Sequence, residues 1–265
     1  MADNPTVTRG SLSGARGCVG DVALLSQSVP IFPVERTMRL GTLAESRTAS
    51  PVRIGWAALF LKAYAMVAHE TPVLRTWFVN GLAPRLATCS ESVATLAINR
   101  IENGQDRLFF ARLRQPNAHS LQEIQQFIAD CQSKPVDQWF KRQLQLEMMP
   151  GFLRRRILWW NMNSFSPKRA SRIGTFSLST LSGFNASNRL HPTLCTTSLS
   201  YAPLETDGRC LATLLADHRV LDGATVARAL ERLEAVLNGP MLNEIVLLTA
   251  AQNRSGAGRP APASA

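Results

Sequence analysis

The chain has 265 residues, 45% of them hydrophobic, which is enough to bury the core of one large domain or two small ones. Its 29 basic and 19 acidic residues give a net charge of +10, but the arginines are dispersed, without the basic–aromatic repeat or finger spacing typical of nucleic-acid binding. We therefore expect no nucleic-acid partner. The sequence contains no apolar run long enough for a membrane span, and residues 1–10 lack a signal-peptide core.

The five cysteines are scattered and lack the spacing of a metal site. Reduced thiols in a cytoplasmic protein are the simplest interpretation, and no bound metal is expected.

The N-terminal half predicts a flexible start at 1–10, a short helix before residue 30, and then a strand and two helices. An extended run at 31–38 contains Pro33, which favours the edge of a sheet. Residues 40–47 predict a short helix. Residues 51–69 predict a long helix that is apolar on most faces and therefore largely buried.

Residues 92–114 predict two strands, joined by a turn at Glu102-Asn103-Gly104. A helix follows at 120–130. Ser120, with Glu123 three residues later, fits a capping box at the start of that helix.

Residues 135–172 combine tryptophans and arginines, including three consecutive arginines at 154–156 followed by tryptophans at 159 and 160. Pro150-Gly151 predicts a break between two amphipathic helices. Three interpretations remain open: a helical pair packed on the core with its arginines outward, a membrane-surface or partner-docking patch through 139–160, or a lid over a substrate channel.

A hydrophobic run at 211–216 ends in Asp217-His218-Arg219, and the turn signal Asp222-Gly223 follows. This pattern predicts a strand, a turn and then a helix, with the Asp222 side chain as the helix cap. The residues that predict one buried face of that helix are Val226, Leu230, Leu233, Val236 and Leu237. Residues 249–265 are rich in Gly, Ala, Pro and Ser and predict a disordered tail.

The sequence DHRVLDG at 217–223 resembles the catalytic signature of the dihydrolipoyl acyltransferases, the core subunits of 2-oxoacid dehydrogenase complexes. It also resembles the shorter HxxxDG signature shared with chloramphenicol acetyltransferase. GTFSLSTL at 174–181 is similar to the acyltransferase segment GTFTISNLG, which precedes the histidine in the same order. The resemblance implies an α/β fold of the chloramphenicol acetyltransferase type over 11–248, an α+β sandwich with a mixed central sheet flanked by helices, and assembly into trimers.

The resemblance also implies roles for individual residues. His218 would be the general base and Ser179 would stabilise the tetrahedral oxyanion, with Ser177 and Thr180 as alternatives to Ser179. The chemistry suits these residue types, because a thiol with a pKa of about 8.5 is little ionised at neutral pH and an imidazole with a pKa of about 6.5 can accept its proton.

Three further residues receive supporting roles. Asp222 would brace the loop that presents His218, and Gly223 would permit the tight turn into the helix. Arg16 would form an ion pair with Asp222, and Arg47 is the substitute candidate for that ion pair.

The implied substrate is acyl-coenzyme A, and the acceptor is a lipoyl-type thiol or another small molecule. The resemblance leaves no room for a lipoyl domain or a peripheral-subunit-binding domain, so we expect any lipoyl group to come from another chain. Expected partners are further copies of the chain and dehydrogenase-complex or biosynthetic proteins. The alternative is a non-catalytic trimeric scaffold. The passage between Ser179 and His218 is shorter than in the family, which suggests a remodelled acceptor side.

Overall fold

A computed structural model describes residues 7–257, which form a mixed α/β fold. The helices are α1 Gly14–Ser26, α2 Gly41–Ala49, α3 Trp56–Glu70, α4 Leu121–Ser133, α5 Val136–Trp139, α6 Lys141–Glu147, α7 Gly151–Met162, α8 Lys168–Ile173, α9 Gly223–Val236 and α10 Leu242–Ala257. The strands are β1 Ile31–Arg39, β2 Thr76–Val79, β3 Arg85–Thr88, β4 Val93–Glu102, β5 Gln105–Arg114, β6 Phe176–Leu178, β7 Thr197–Tyr201 and β8 Arg209–Asp217.

Six strands form the central sheet in the order β1-β8-β7-β6-β4-β5, and β2 pairs with β3 in a separate ribbon. The β4–β6 and β6–β7 pairs are parallel, and the other neighbours in the central sheet are antiparallel. The mixed central sheet flanked by helices, expected from the sequence, is confirmed.

Helices α3 and α9 bury apolar residues in the main core together with the sheet. All five residues proposed for the buried face of α9 are buried. Helix α3 begins at Trp56, five residues later than the predicted start, and Gly55 occupies its N-cap position. Gly55 N donates to the Gln125 Oε1 atom at 2.7 Å, which fixes the chain just before the helix.

Several local predictions are confirmed. β1 lies at the edge of the sheet, as Pro33 suggested. Asn103 and Gly104, both with positive φ, connect β4 to β5, and Ser120 and Glu123 form the capping box of α4.

The ends of the described chain can be compared with the predicted flexible start and disordered tail. The predicted disordered tail is wrong for its first part, because α10 continues through residues 249–257. Residues 258–265 and residues 1–6 of the expected flexible start lie outside the described residues.

Residues 135–172 form four helices rather than two, and the break predicted at Pro150-Gly151 lies between α6 and α7. The expectation that the arginines point outward is wrong for Arg154, which is buried and forms an ion pair with Asp21 of α1 at 2.5 Å. Helix α1 packs closely here. A Cβ atom at Gly17 would lie 2.8 Å from the Arg154 Nη2 atom, and one at Gly14 would lie 2.3 Å from the Glu147 carbonyl oxygen.

Helix α6 also protects the edge of the sheet at β5. The Gln143 side chain accepts a hydrogen bond from Phe110 N at 3.0 Å and donates one to the Leu108 carbonyl oxygen at 2.9 Å. These bonds satisfy backbone groups that an edge strand otherwise leaves unpaired. Helices α5 to α8, which we call the inserted helices, thus cover the β5 edge: Val136 of α5 and Leu144 of α6 pack against the main core, while α7 packs on α1 outside it.

Candidate active site

His218 follows the last residue of β8 in a turn that is held by a local ion pair. Arg219 Nε and Nη2 donate to Asp217 Oδ1 at 2.9 Å and Oδ2 at 2.7 Å, a bidentate arrangement. The guanidinium also lies 4.4 Å from the ring centroid of Phe78. Asp217 is buried, so its pairing with Arg219 fixes the backbone on both sides of His218.

The His218 side chain itself is accessible, with 58% of its surface exposed. Its backbone N–H donates to the Pro30 carbonyl oxygen at 3.0 Å, and its ring centroid lies 4.6 Å from that of Phe32. Phe32 therefore supports one side of the imidazole, while much of the ring faces outward. A second molecule can reach it.

Asp222 occupies the N-cap position of α9, but its side chain makes no capping hydrogen bond, so the predicted side-chain cap is wrong. Its backbone carbonyl accepts from Thr225 N and Val226 N instead. Asp222 Oδ1 lies 3.9 Å from His218 Nδ1, beyond hydrogen-bond range, and the side chain is 86% exposed.

Gly223 does not have the conformational role proposed for it. It has no positive φ. A Cβ atom there would meet nothing within 4 Å. A residue with a side chain would fit this turn.

The proposed ion pairs to Asp222 are absent from the described residues. Arg16 lies exposed on α1, next to glycines that abut α6 and α7 on the β5 side of the sheet. β5 is four strands from β8, so the N-terminal end of α1, which carries Arg16, is too distant, although the C-terminal end of α1 shares a pocket with Asp217 and Arg219. Arg47 instead donates to the Ile54 carbonyl oxygen at 3.1 Å and lies over Trp56.

Ser179 follows β6 at a gap in the sheet. β6 ends at Leu178, level with Leu96 of β4 and Leu199 of β7, while both neighbouring strands continue. Ser179 N donates to the Leu199 carbonyl oxygen at 3.0 Å, and Ser179 Oγ accepts from Asn188 Nδ2 at 3.5 Å. The hydroxyl proton therefore remains able to donate to another group.

Two cavities meet at Ser179. One, of about 190 Å³, lies between the sheet and the layer of α1, α6 and α7. The other, of about 680 Å³, is lined by Trp56, Phe184 and Tyr201 on the opposite side of the gap. Ser179 lines both cavities, so its hydroxyl can contact molecules that enter from either one.

A polar network that sequence reasoning missed surrounds this serine. His191 Nε2 lies 2.7 Å from Ser198 Oγ, which accepts from Ser177 Oγ at 2.6 Å. Asn188 Nδ2 lies 3.2 Å from His191 Nδ1 and connects the network to Ser179. Burial lowers the pKa of His191 to about 4, so the imidazole is neutral at neutral pH.

His218 and Ser179 of one chain are too far apart to act together. Ser179 follows Leu178, which pairs with Leu199, and is thus level with Ser200, the partner of Thr213 in β8. His218 lies five residues beyond Thr213, about 16 Å along the strand. From β6 across β7 to β8 there are also two strand spacings. The distance between the two residues is therefore roughly 19 Å.

Residues 7–257 contain no group of three His, Cys, Asp or Glu side chains arranged to hold a metal ion. Within the same residues, no helix combines the length and apolar character that crossing a bilayer requires. All five cysteines are free thiols.

No family model matches the sequence, and no curated protein matches it. Several solved structures are similar to this chain. A probable dihydrolipoamide acetyltransferase from Listeria monocytogenes is 16% identical, with a TM-score of 0.63, over 88% of this chain and 94% of that one. The Azotobacter vinelandii dihydrolipoamide acetyltransferase is 17% identical, with a TM-score of 0.63, over 93% and 100%. A truncated catalytic core of the 2-oxoacid dehydrogenase multienzyme complex from Thermoplasma acidophilum is 16% identical, with a TM-score of 0.64, over 88% and 99%.

These likenesses establish the class of fold. The chain has the α/β fold of the catalytic cores of 2-oxoacid dehydrogenase acyltransferases, over most of its length. The expected fold class is confirmed.

Proposed function

We propose that this protein is a coenzyme A-dependent acyltransferase, with an active site made by His218 of one copy and Ser179 of another. The observation that carries the proposal is that these two side chains are far apart within one chain, while each of them is accessible to another molecule. His218 is exposed beyond one end of the sheet. Ser179 stands at the meeting point of two cavities.

The Azotobacter vinelandii enzyme supports the assignment of residue types. Its crystallographic study concerned a serine, a histidine and an asparagine in the catalytic mechanism, with the asparagine four positions after the histidine. In this chain Asp222 stands four positions after His218, so a carboxylate replaces the amide. The serine and histidine are 52 positions apart in that enzyme and 39 apart here, which supports a shortened passage on the acceptor side.

The proposed reaction is a direct transfer. His218 takes the proton of the acceptor thiol, and the thiolate attacks the thioester carbonyl of acyl-coenzyme A. Ser179 donates a hydrogen bond to the tetrahedral oxyanion. Collapse of the intermediate breaks the bond to coenzyme A, whose sulfur receives the proton from His218. Donor and acceptor approach Ser179 from the two cavities, and no covalent acyl-enzyme forms.

We also propose a trimeric assembly, which would bring these two residues together. A cyclic trimer gives each copy one neighbour that supplies the histidine and one that supplies the serine. One structure similar to this chain is the cubic core of the pyruvate dehydrogenase multienzyme complex. If the acceptor is a lipoyl group, a different chain carries it.

The test is an acyl-transfer assay with acetyl-coenzyme A and dihydrolipoamide, on wild type, His218→Ala and the control His69→Ala. His69 is an exposed histidine at the end of α3. Loss of a general base lowers kcat by about 10²–10⁴-fold, so His218→Ala should fall in that range while His69→Ala should match wild type. Undiminished activity in His218→Ala would contradict the catalytic assignment.

A non-catalytic scaffold is the second candidate. The observation in its favour is a set of exposed aromatic side chains on α7, including Phe152 (71% exposed) and Trp160 (58%), which suits contact with another protein. A scaffold predicts stable oligomers without transfer to any acceptor, so wild type that is inactive with several acyl donors would favour it.

A further inference from the structure

The smaller cavity at Ser179 combines an apolar interior with a group of cations. Leu108 and Phe110 of β5 line it from the sheet, and Leu146 of α6 and Leu158 of α7 line it from the inserted helices. At about 190 Å³ it exceeds the cavity of roughly 150 Å³ that holds benzene in an engineered protein. It can therefore enclose an organic group of modest size.

Three arginines, Arg112, Arg142 and Arg172, line this cavity, and none of the described residues around it is an aspartate or a glutamate. Arg172 donates to the Asn161 Oδ1 atom at 2.7 Å. Burial lowers the pKa of Arg112 to about 10, which leaves it charged at neutral pH. The cavity thus carries positive charge without a carboxylate partner of its own.

Arg112 has a buried side-chain nitrogen whose hydrogen bonding is incomplete. Its Nε atom is buried and has no partner among the described residues, and its Nη1 atom donates only a long bond, 3.4 Å, to the Phe110 carbonyl oxygen. Arg154, by contrast, pairs with Asp21. A buried cation without a counter-ion is costly, and a bound anion would remove that cost.

We propose that this cavity binds a carboxylate with an apolar body of about six to ten carbon atoms, held through its carboxylate by Arg112. A carboxylate matches the planar edge of a guanidinium. A phosphate, with up to two charges, would be harder to dehydrate in an interior that is mainly apolar. Because the cavity ends at Ser179, the bound molecule is a substrate or competitor of the proposed transfer, and only this last step rests on the proposed function.

The test measures binding by calorimetry, without coenzyme A, so that it does not depend on catalysis. The probes are octanoate and the neutral octanamide. The variants are Arg112→Met, which removes the charge and keeps most of the volume, and the control Arg114→Met on the same strand, where the Arg114 side chain is 68% exposed. His218→Ala serves as a catalytically impaired protein that should still bind.

Wild type, Arg114→Met and His218→Ala should bind octanoate with equal affinity, and Arg112→Met should bind it at least tenfold more weakly. Octanamide should bind wild type at least tenfold more weakly than octanoate does. Equal binding of the acid and the amide, no octanoate binding to wild type at millimolar concentration, or undiminished binding to a folded Arg112→Met would each overturn the proposal. The comparison of acid with amide uses wild type alone and decides the matter if Arg112→Met does not fold.

Discussion

Gly174 shows how one residue fixes the strand that leads to Ser179. Its φ is +99°, and a Cβ atom there would lie 2.4 Å from Thr95 Oγ1 and 3.1 Å from the Val93 carbonyl oxygen. Only glycine fits between β4 and the start of β6. The sequence match at GTFSLSTL therefore has a steric basis at its first position.

Gly174→Ala should lower the free energy of unfolding by about 2 kcal/mol or more, because the substitution adds a clash to an unfavourable backbone conformation. Gly223→Ala is the matched control, since a Cβ atom there meets nothing within 4 Å and the residue begins α9. It should be neutral or stabilise by up to about 1 kcal/mol. Urea denaturation of both variants measures the difference, and equal effects would show that the close approach to Thr95 is unimportant.

The lowered pKa of His191 predicts that the folded state is less stable in acid. Its pKa is lowered by burial from 6.5 to about 4, so the folded state binds fewer protons than the unfolded state between these values. Stability should therefore fall as the pH decreases from 6.5 towards 4, by about 3 kcal/mol from this group. His191→Gln removes the titration, and its free energy of unfolding should depend less steeply on pH in this window. Parallel pH profiles of the two proteins would refute the assignment.

Of the three interpretations that the sequence leaves open for residues 135–172, the structure bears on the first, a set of helices packed on the core. α6 and α7 pack against α1 and the sheet, and Leu146 and Leu158 also close the smaller cavity over Ser179. A lid over a substrate channel stays a prediction, to which the position of Leu146 and Leu158 in the cavity beside Ser179 is relevant. Contact of 139–160 with a membrane surface or a partner stays a prediction, to which the exposed Trp159 and Trp160 are relevant.

The buried ion pair between α1 and α7 should matter for stability. Asp21 and Arg154 are both 7% exposed in their side chains, and Arg155 also contacts Asp21 at 3.2 Å. Asp21→Asn leaves the buried Arg154 without a counter-charge and should lower the free energy of unfolding by about 3 kcal/mol. Thermal and urea denaturation measure this loss.

The control is Glu70→Gln, which breaks the exposed pair between Arg232 and Glu70, with side chains 52% and 44% exposed. Solvent screens such a pair, so this variant should differ from wild type by less than about 1 kcal/mol. A loss in Asp21→Asn no larger than in Glu70→Gln would mean that the packing of α1 on α7 does not depend on the ion pair.

The sequence predicted the elements whose signals are local. The spacing of Val226 to Leu237 identified the buried face of α9, and the Ser120–Glu123 pair identified the start of α4. The order of Ser179 and His218 pointed to the fold. All of these depend on neighbours a few residues apart, or on a resemblance.

The parts that escaped prediction depend on distant contacts. Arg112 stands in an alternating strand like any outward-facing residue. It is enclosed by α1, far earlier in the chain, and by the inserted helices, 30 to 50 positions later. The pKa of His191 is lowered by burial, and its partners Ser198 and Asn188 reach it only in the folded structure. Arg16 was assigned by resemblance, but its helix packs against an insertion at the other side of the sheet.

The proposed active site is completed by two copies of the chain. Strand geometry separates His218 from Ser179 of the same chain by roughly 19 Å, so the two side chains cannot contact each other. Two inactive variants should therefore restore each other's activity, because a mixed assembly joins an intact His218 from one copy to an intact Ser179 from the next.

The most direct measurement is therefore the activity of assemblies formed by co-expressing His218→Ala and Ser179→Ala chains with different affinity tags. Each variant alone should retain at most about one hundredth of wild-type activity. In randomly mixed trimers, about one quarter of the shared sites would contain both wild-type residues, so activity should return to about a quarter of the wild-type value per site. If mixed assemblies that contain both tags are no more active than the separate variants, the active site is not shared between two copies.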